Sequence, residues 1–145
     1  MKKKLPWALE KRELLYGKKG VDYKRWGDLF YEAERYADAL EFYLQGNVEE
    51  GIEKLKRFAL ETGDYYILAK IEEKYPGRIK EEEWRSAAQK AEELGKFSMA
   101  VWLYEKCGEK QKMRQCAQKA GIELEDEDEG DTQGEEKERK RRKED

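Results

Sequence analysis

The sequence YKRWGDLFYEAERYADALEFYLQG, residues 23–46, returns in altered form as WRSAAQKAEELGKFSMAVWLYEKC, residues 84–107. Both stretches place aromatic and small residues at the same intervals, and matching positions are 61 residues apart. Self-similarity at a fixed offset indicates a supersecondary unit that is used more than once. The matched pairs are Tyr23 and Trp84, Gly27 and Ala88, Tyr36 and Phe97, Ala39 and Ala100, Tyr43 and Tyr104, and Gly46 and Cys107.

Apolar residues recur with helical spacing along most of the chain. Val48, Ile52, Leu55 and Ala59, for example, fall on one side of a helix, and no segment alternates with the period of a β-strand. Glycines and the pair Pro76-Gly77 separate the apolar segments, as expected where helices end. The pattern predicts helices at Pro6–Tyr16, Tyr23–Arg35, Ala37–Gln45, Val48–Thr62, Tyr65–Tyr75, Lys80–Leu94, Phe97–Lys106 and Lys110–Ala120.

The two stretches resemble tetratricopeptide repeats (TPRs), which follow the pattern W-x2-L-G-x2-Y, then A-x3-F, over about 34 residues. In each stretch, small residues stand where the two helices of a hairpin would cross, and bulky residues flank them, as close packing requires. The resemblance implies an all-α fold, a right-handed α-solenoid of about three antiparallel helical hairpins with capping helices. The matching motifs are Tyr23-x2-Trp26-Gly27-x2-Phe30 with Ala39-x3-Tyr43, and Trp84-x2-Ala87-Ala88-x2-Ala91 with Ala100-x3-Tyr104.

A middle unit fits this pattern less closely. Leu68 stands where the repeat has a small residue, 29 residues after Ala39 and 32 residues before Ala100. The step of the repeat is therefore near 30 residues rather than 61. Irregular steps of this kind, and the segment Ala100–Gly108, are similar to the degenerate α-solenoids of vesicle-coat and intraflagellar-transport subunits.

The helical repeat is expected to occupy residues 21–122. A stack of hairpins must cover its apolar ends, so terminal units differ from the others. Residues 1–20 are predicted to form an N-terminal segment with a short capping helix that contributes Leu14 and Leu15, and Trp7 is expected to be either a further cap residue or a docking anchor. The last helix, which carries Met113, is predicted to cover the opposite end.

Charged residues make up 45% of the chain, and its net charge of −3 is unevenly distributed. Residues 123–145 hold twelve acidic and six basic residues, so the rest of the chain is close to neutral. Such a segment buries too little apolar surface to order itself, and we predict a disordered acidic and basic tail. A near-neutral folded part does not favour a dedicated nucleic-acid binder, although the run Arg139–Lys143 keeps nucleic-acid association as an alternative.

No apolar run approaches the ~20 residues of a membrane-spanning helix, so the sequence predicts no membrane span. Met1–Lys4 is basic, but Glu10–Glu13 interrupts the apolar stretch that a secretory signal needs. Cys107 and Cys116 are the only cysteines. Two cysteines without a secretory signal lead us to expect reduced thiols and a cytoplasmic protein.

No arrangement of catalytic residues stands out. The chain has no histidine, which excludes a histidine-based triad. Gly17–Gly20 lacks the spacing and the Ser or Thr of a phosphate-binding loop. Cys107 and Cys116 are too few donors for a structural zinc site, and we expect both to pack in the core. The sequence therefore predicts no enzyme activity, no cofactor and no metal.

Members of the TPR family bind peptides on a concave face that the first helices of the hairpins line. The resemblance places eight residues of this chain there, and their mixed, acid-leaning charge suits a peptide that carries Lys or Arg. Asp28 and Gln89 stand where chaperone-binding members have asparagine, which argues against capture of a terminal carboxylate. A solvated helix face without a ligand is the alternative interpretation. The eight residues are Lys24, Asp28, Tyr31 and Glu32 in the first repeat, and Arg85, Gln89, Glu92 and Glu93 in the last.

These observations together predict a non-catalytic adaptor or scaffold that binds a peptide or a partner helix. The alternative is a structural subunit that stacks into a larger coat-like or transport-like α-solenoid. Among the tryptophans, Trp26 and Trp84 lie on apolar stripes and are expected in the core. Trp102 lies beside such a stripe and is the better candidate for contact with a partner.

Overall fold

The computed structural model describes residues 5–17 and 19–124, and these residues form helices and short connections without any β-strand. The predicted all-α class is therefore confirmed. The predicted tail, residues 123–145, lies outside the described residues except for Glu123 and Leu124. The helices are α1 (Ala8–Arg12), which continues into a π-helical turn (Glu13–Gly17), α2 (Tyr23–Glu32), α3 (Tyr36–Gln45), α4 (Glu49–Thr62), α5 (Tyr65–Lys74), α6 (Glu81–Glu93), α7 (Phe97–Lys106) and α8 (Lys110–Ala120).

The helices from α2 to α8 begin and end close to their predicted positions because the sequence marks several of their ends. Asp22 precedes α2, and its carboxylate accepts the backbone N–H of Arg25 at 3.1 Å. Asp64 caps α5 in the same way, accepting from Ile67 at 3.2 Å. Such caps satisfy N–H groups that have no partner within the helix. Gly63 ends α4 in the left-handed conformation, with φ of 65°.

Two helices differ from the prediction by more than one residue at an end. The predicted first helix, Pro6–Tyr16, is α-helical only over Ala8–Arg12, and the π-helical turn that follows carries Leu14 and Leu15, which both pack against the core. Helix α2 ends at Glu32 instead of Arg35. The reason is local, because Glu34 adopts a left-handed backbone with φ of 60° that cannot continue a right-handed helix.

The helices lie in two rows. Helices α2, α4 and α6 contact one another in succession, and so do α3, α5 and α7. Helices α2 and α3, α4 and α5, and α6 and α7 pack as pairs, and α8 packs against α7. Because the connections are short, neighbours in sequence run antiparallel. The described chain is thus a repeat-like series of helix pairs.

Tyr43 on α3 shows how residues of different size hold this series together. Its ring is fully buried, and a Cβ atom added to either Gly27 on α2 or Gly51 on α4 would overlap it. The Tyr43 ring, which belongs to the row of α3, therefore packs against both α2 and α4 of the other row. Each of these two helices has a glycine at the contact. The corresponding ring of Tyr104 on α7 is buried as well, and so are Ala88 and Ala100.

The 61-residue offset extends to the backbone of the turns. Glu34 and Gly95 both adopt positive φ, and so do Asn47 and Gly108. The residue that follows each of these four donates its backbone N–H to the carbonyl five residues earlier, at 2.8–3.0 Å. The first and last hairpins therefore close with the same turns, although the first uses Glu and Asn where the last uses glycine.

The middle hairpin packs directly against the last one. Gly63 lies so close to α6 that an added Cβ would be 2.6 Å from Cα of Ala91. Lys96 donates through Nζ to the backbone carbonyl of Thr62 at 2.7 Å, which satisfies an acceptor at the end of α4. Leu68, the large residue at a position where the repeat pattern has a small one, is fully buried.

Both ends of the described chain carry an additional helix. Lys11 joins α1 to α3 through Asp38 at 2.5 Å and Glu41 at 3.1 Å. Leu15 is buried, whereas Trp7 is 59% exposed, so the N-terminal segment covers its end of the molecule with Leu15 rather than with Trp7.

Candidate peptide-binding face

The four predicted residues of the first repeat all belong to α2. Three of them border a shallow groove of about 320 Å³ that runs along this helix. Lys24 and Glu32 are exposed, whereas Asp28 is half-buried. Three carboxylates and two cationic groups border the groove, so its charge leans acidic. The bordering residues are Asp22, Lys24, Arg25, Asp28, Leu29 and Glu32.

Asp28 is already engaged by residues of the chain itself. Its carboxylate accepts the Tyr43 hydroxyl at 2.5 Å and the Lys24 ammonium at 3.1 Å. Burial of the Tyr43 ring and its hydrogen bond to Asp28 raise the pKa of that phenol, which therefore stays protonated as a donor. The same carboxylate raises the pKa of Lys24. Asp28 thus connects the surface of α2 to the ring that α2 and α4 enclose.

Tyr31 also contacts other residues of the chain. Its ring meets Tyr36 edge-on at 5.3 Å between centroids, and the ammonium of Lys54 on α4 lies 3.8 Å from its centroid. This cation–π contact joins α2 to α4. Lys54 could not be predicted from the repeat pattern, because its contact with Tyr31 crosses from one repeat to the next.

The predicted residues of the last repeat lie on α6 and contact the end of the molecule. Arg85 pairs with Glu81 at 3.2 Å and with Glu109, just before α8, at 3.3 Å. Glu92 accepts the Tyr104 hydroxyl at 3.2 Å. Glu93 is exposed and lies 3.6 Å from the ammonium of Lys90, and Gln89 is exposed.

Each predicted set of residues contains a carboxylate that accepts a buried tyrosine hydroxyl, from Tyr43 in the first repeat and from Tyr104 in the last. The two tyrosines are equivalent in the repeat, but the two carboxylates are not. The acceptor of the Tyr43 hydroxyl is Asp28, whose counterpart at the 61-residue offset is Gln89. The Tyr104 hydroxyl instead bonds to Glu92, three residues further along α6 and therefore on the same side of the helix. The α2 residues contact α3 and α4, and the α6 residues contact α7 and the start of α8.

Both thiols are buried, as predicted. Cys107 is 8% exposed and Cys116 is 1% exposed, and neither forms a disulfide. Burial, together with the nearby Glu92 carboxylate, raises the pKa of Cys116 to about 11, so this thiol is neutral at physiological pH. No group of three or more potential metal ligands occurs within the described ranges 5–17 and 19–124.

The tryptophans follow the prediction in part, because Trp26, which was expected in the core, is only half-buried. Trp84 is buried, and Trp26 is half-buried against Phe42 with ring centroids 6.4 Å apart. Trp102 is 45% exposed, and its ring lies 6.4 Å from that of Tyr65. Whether Trp102 contacts a partner stays a prediction.

A second groove, which no sequence pattern indicated, lies on the other row of helices. It has a volume of about 460 Å³ and runs between α3 and α5, next to the N-terminal segment. Tyr16 and Tyr66 border it and are both exposed. These residues lie outside the repeat pattern, so the comparison of repeats could not single them out.

Comparison of the chain with models of protein families, with curated proteins and with solved structures gave no match. Among the helices of the described residues, none has the length and apolar character needed to cross a bilayer.

Proposed function

We propose that this chain is a TPR-like, right-handed α-solenoid that binds a peptide or a partner helix across α2, α4 and α6 and has no catalytic role. The observation that carries the proposal is the acid-leaning groove on α2, in the row of helices that corresponds to the peptide-binding row of the TPR family. The buried packing of the echoed positions Gly27, Tyr43, Ala88 and Tyr104 supports the repeat interpretation.

The charge of this face favours a ligand that carries Lys or Arg. Asp28 and Glu92 already accept tyrosine hydroxyls, so their charge is held in place by the fold. Glu32 and Glu93 are exposed and can turn toward a ligand without loss of a buried hydrogen bond. Two fixed and two adaptable carboxylates would give selectivity for basic side chains through complementary charge.

The test is selection of peptides from a displayed random library, followed by measurement of affinity by fluorescence anisotropy. We expect enrichment of Lys and Arg at low ionic strength. The variant Glu32→Lys with Glu93→Lys should lose binding, because these substitutions reverse two exposed charges and leave the hydrogen bonds of Asp28 and Glu92 intact. The control is Glu73→Lys with Glu105→Lys, which reverses two exposed charges on α5 and α7 in the other row.

Selected peptides without basic enrichment would contradict the proposed ligand chemistry. Equal loss of affinity in the variant and in the control would show a general effect of net charge. If no peptide is selected from any library, the alternative of a solvated helix face without a ligand is supported.

A structural role in a larger α-solenoid is the second candidate, and the N-terminal segment favours it. Trp7 and Leu9 are 59% and 58% exposed, whereas the terminal units of helical stacks carry a polar outer face. End-to-end stacking would cover them. Light scattering over a range of concentrations should then show association that Trp7→Ser with Leu9→Ser abolishes, whereas a monomer at all concentrations excludes stacking of the chain on itself.

A further inference from the structure

Helix α8 presents a strongly basic outer face. Its buried side packs through Cys116 and Ala117, and Met113 is half-buried against the core. The helix carries four basic residues and no acidic residue. Its exposed residues are Lys110, Gln111, Lys112, Arg114, Gln115, Gln118 and Lys119.

The spacing of these residues orders the exposed face into three lines. With about 3.6 residues per turn, Gln111, Gln115 and Gln118 fall along the crest of the helix. Lys110 and Arg114 lie on one side of the glutamines, and Lys112 and Lys119 lie on the other. The face is therefore a polar crest with positive charge along both edges.

Two of the lysines on α8, Lys112 and Lys119, make cation–π contacts with aromatic rings. The ammonium of Lys112 lies 5.6 Å from the centroid of Tyr104, and that of Lys119 lies 5.3 Å from the centroid of Phe97. Both rings belong to α7, so these contacts hold the two lysines along one edge of α8. Both side chains are nevertheless exposed and can contact an anion.

The described chain turns back at the end of α8. Gly121 adopts the left-handed conformation, with φ of 70°, and Ile122 donates its N–H to the carbonyl of Ala117 at 2.9 Å. Ile122 and Leu124 are partly buried against the core. The chain therefore stays in contact with the helical body as far as Leu124, where the acidic sequence begins.

Residues 125–136 hold eight acidic residues and no basic residue. Twelve residues in an extended conformation span up to about 40 Å, and α8, with eleven residues, is about 16 Å long. The acidic segment is long enough to follow the whole helix. Because only residues 121–124 separate it from that helix, its effective concentration there is high.

We propose that the exposed face of α8 binds the acidic segment of residues 125–136 of the same chain. The segment then competes with any other polyanion for this face. The contact is electrostatic, so it weakens as salt shortens the screening distance from about 10 Å at 0.1 M to about 3 Å at 1 M.

The test compares backbone amide NMR spectra of the full chain and of a full-length variant with a neutral segment. At low salt, we expect the largest chemical-shift differences in α8, with little change in α2 and α5, and we expect the differences to disappear in 1 M salt. Differences that are absent, or that lie mainly outside α8, would overturn the proposal. The variant combines Glu125→Gln, Asp126→Asn, Glu127→Gln, Asp128→Asn, Glu129→Gln, Asp131→Asn, Glu135→Gln and Glu136→Gln.

A second pair of variants changes the helix instead of the segment. Lys112→Gln with Lys119→Gln should reduce the α8 shift differences between the acidic and the neutral segment. Lys70→Gln with Lys90→Gln, an equal change of charge on α5 and α6, should leave those differences as they are. If both pairs reduce them equally, net charge and not the α8 face is responsible, and the proposal fails.

Single-stranded dT20 distinguishes the acidic segment from a nucleic acid as the ligand of this face. We expect dT20 to perturb the α8 amides more in the variant with the neutral segment than in the natural chain, because the acidic competitor has been removed. The same perturbation in both proteins would show that the segment does not occupy α8.

Discussion

The ring of Tyr43 occupies the space that a side chain at Gly51 would need. Tyr43 lies on α3 and Gly51 on α4, so this contact joins the first hairpin to the second. Gly27 on α2 lies against the same ring. Glycine normally weakens a helix interior by about 1 kcal/mol relative to alanine. At Gly27 and Gly51, glycine is nevertheless required, because any side chain there would keep the two rows of helices from packing this closely.

Gly51→Ala is therefore expected to destabilise the chain by about 1–3 kcal/mol, because the new methyl group overlaps a fully buried ring. Helix propensity alone predicts the opposite sign. Urea denaturation followed by circular dichroism gives the free energy of unfolding. The control is the same substitution in a Tyr43→Leu background, where the space is larger and Gly51→Ala should cost less. Equal costs in both backgrounds would mean that Tyr43 does not set the requirement for glycine.

Removal of the tyrosine hydroxyls should have unequal effects. Tyr43→Phe breaks a hydrogen bond of 2.5 Å to the carboxylate of Asp28 and is expected to destabilise the chain by about 1.5–3 kcal/mol. Tyr104→Phe breaks a longer bond of 3.2 Å to Glu92 and should cost about 0.5–1.5 kcal/mol. Thermal and urea denaturation of both variants provide the comparison, and the reverse order would contradict the geometry.

The cost of Tyr43→Phe should also depend on pH. Burial and Asp28 raise the pKa of Tyr43 in the folded chain, whereas an unfolded tyrosine ionises near pH 10. The contribution of the Tyr43 hydroxyl to the free energy of unfolding is fully present below about pH 10. It declines as pH rises further, because the unfolded state then releases the proton more readily than the folded state. The difference in stability between the natural chain and Tyr43→Phe should therefore shrink above pH 10. A difference that stays constant to pH 11 would argue against the raised pKa.

Contacts within one hairpin could be predicted from the sequence, but contacts between hairpins could not. The small residue Gly27 and the large residue Tyr43 belong to one repeat motif, so their packing follows from the pattern. Gly51 against Tyr43, and Lys54 over Tyr31, each join two repeats across a separation that no motif specifies. For the same reason, the sequence placed Asp28 on a surface but did not show that the Tyr43 hydroxyl is bonded to it.

Glu34→Gly is expected to stabilise the chain by about 0.5–1 kcal/mol. Glu34 has a left-handed backbone that costs a residue with a side chain about 1–2 kcal/mol, and glycine, although more flexible when unfolded, avoids this cost. The matched substitution is Gly95→Ala at the equivalent turn, where no atom lies within 4 Å of the added Cβ. It should destabilise by about 1 kcal/mol through backbone strain alone. Changes of the same sign in the two variants would show that the turns are not equivalent.

Lys11→Met should loosen the N-terminal segment without unfolding the helix pairs. Burial alone would lower the pKa of Lys11, but hydrogen bonds to Asp38 and Glu41 raise it, so the ammonium is held by both carboxylates. Loss of these hydrogen bonds should lower the stability of the N-terminal segment by about 1–2 kcal/mol. We therefore expect residues 5–17 to detach from the helical body roughly ten times more often. Limited proteolysis with mass spectrometry should then show faster cleavage within this segment and unchanged cleavage elsewhere. Arg12→Met removes the neighbouring exposed cation and is the control. If both variants are cleaved equally fast, the ion pairs of Lys11 do not hold the segment, and the buried side chain of Leu15 must do so.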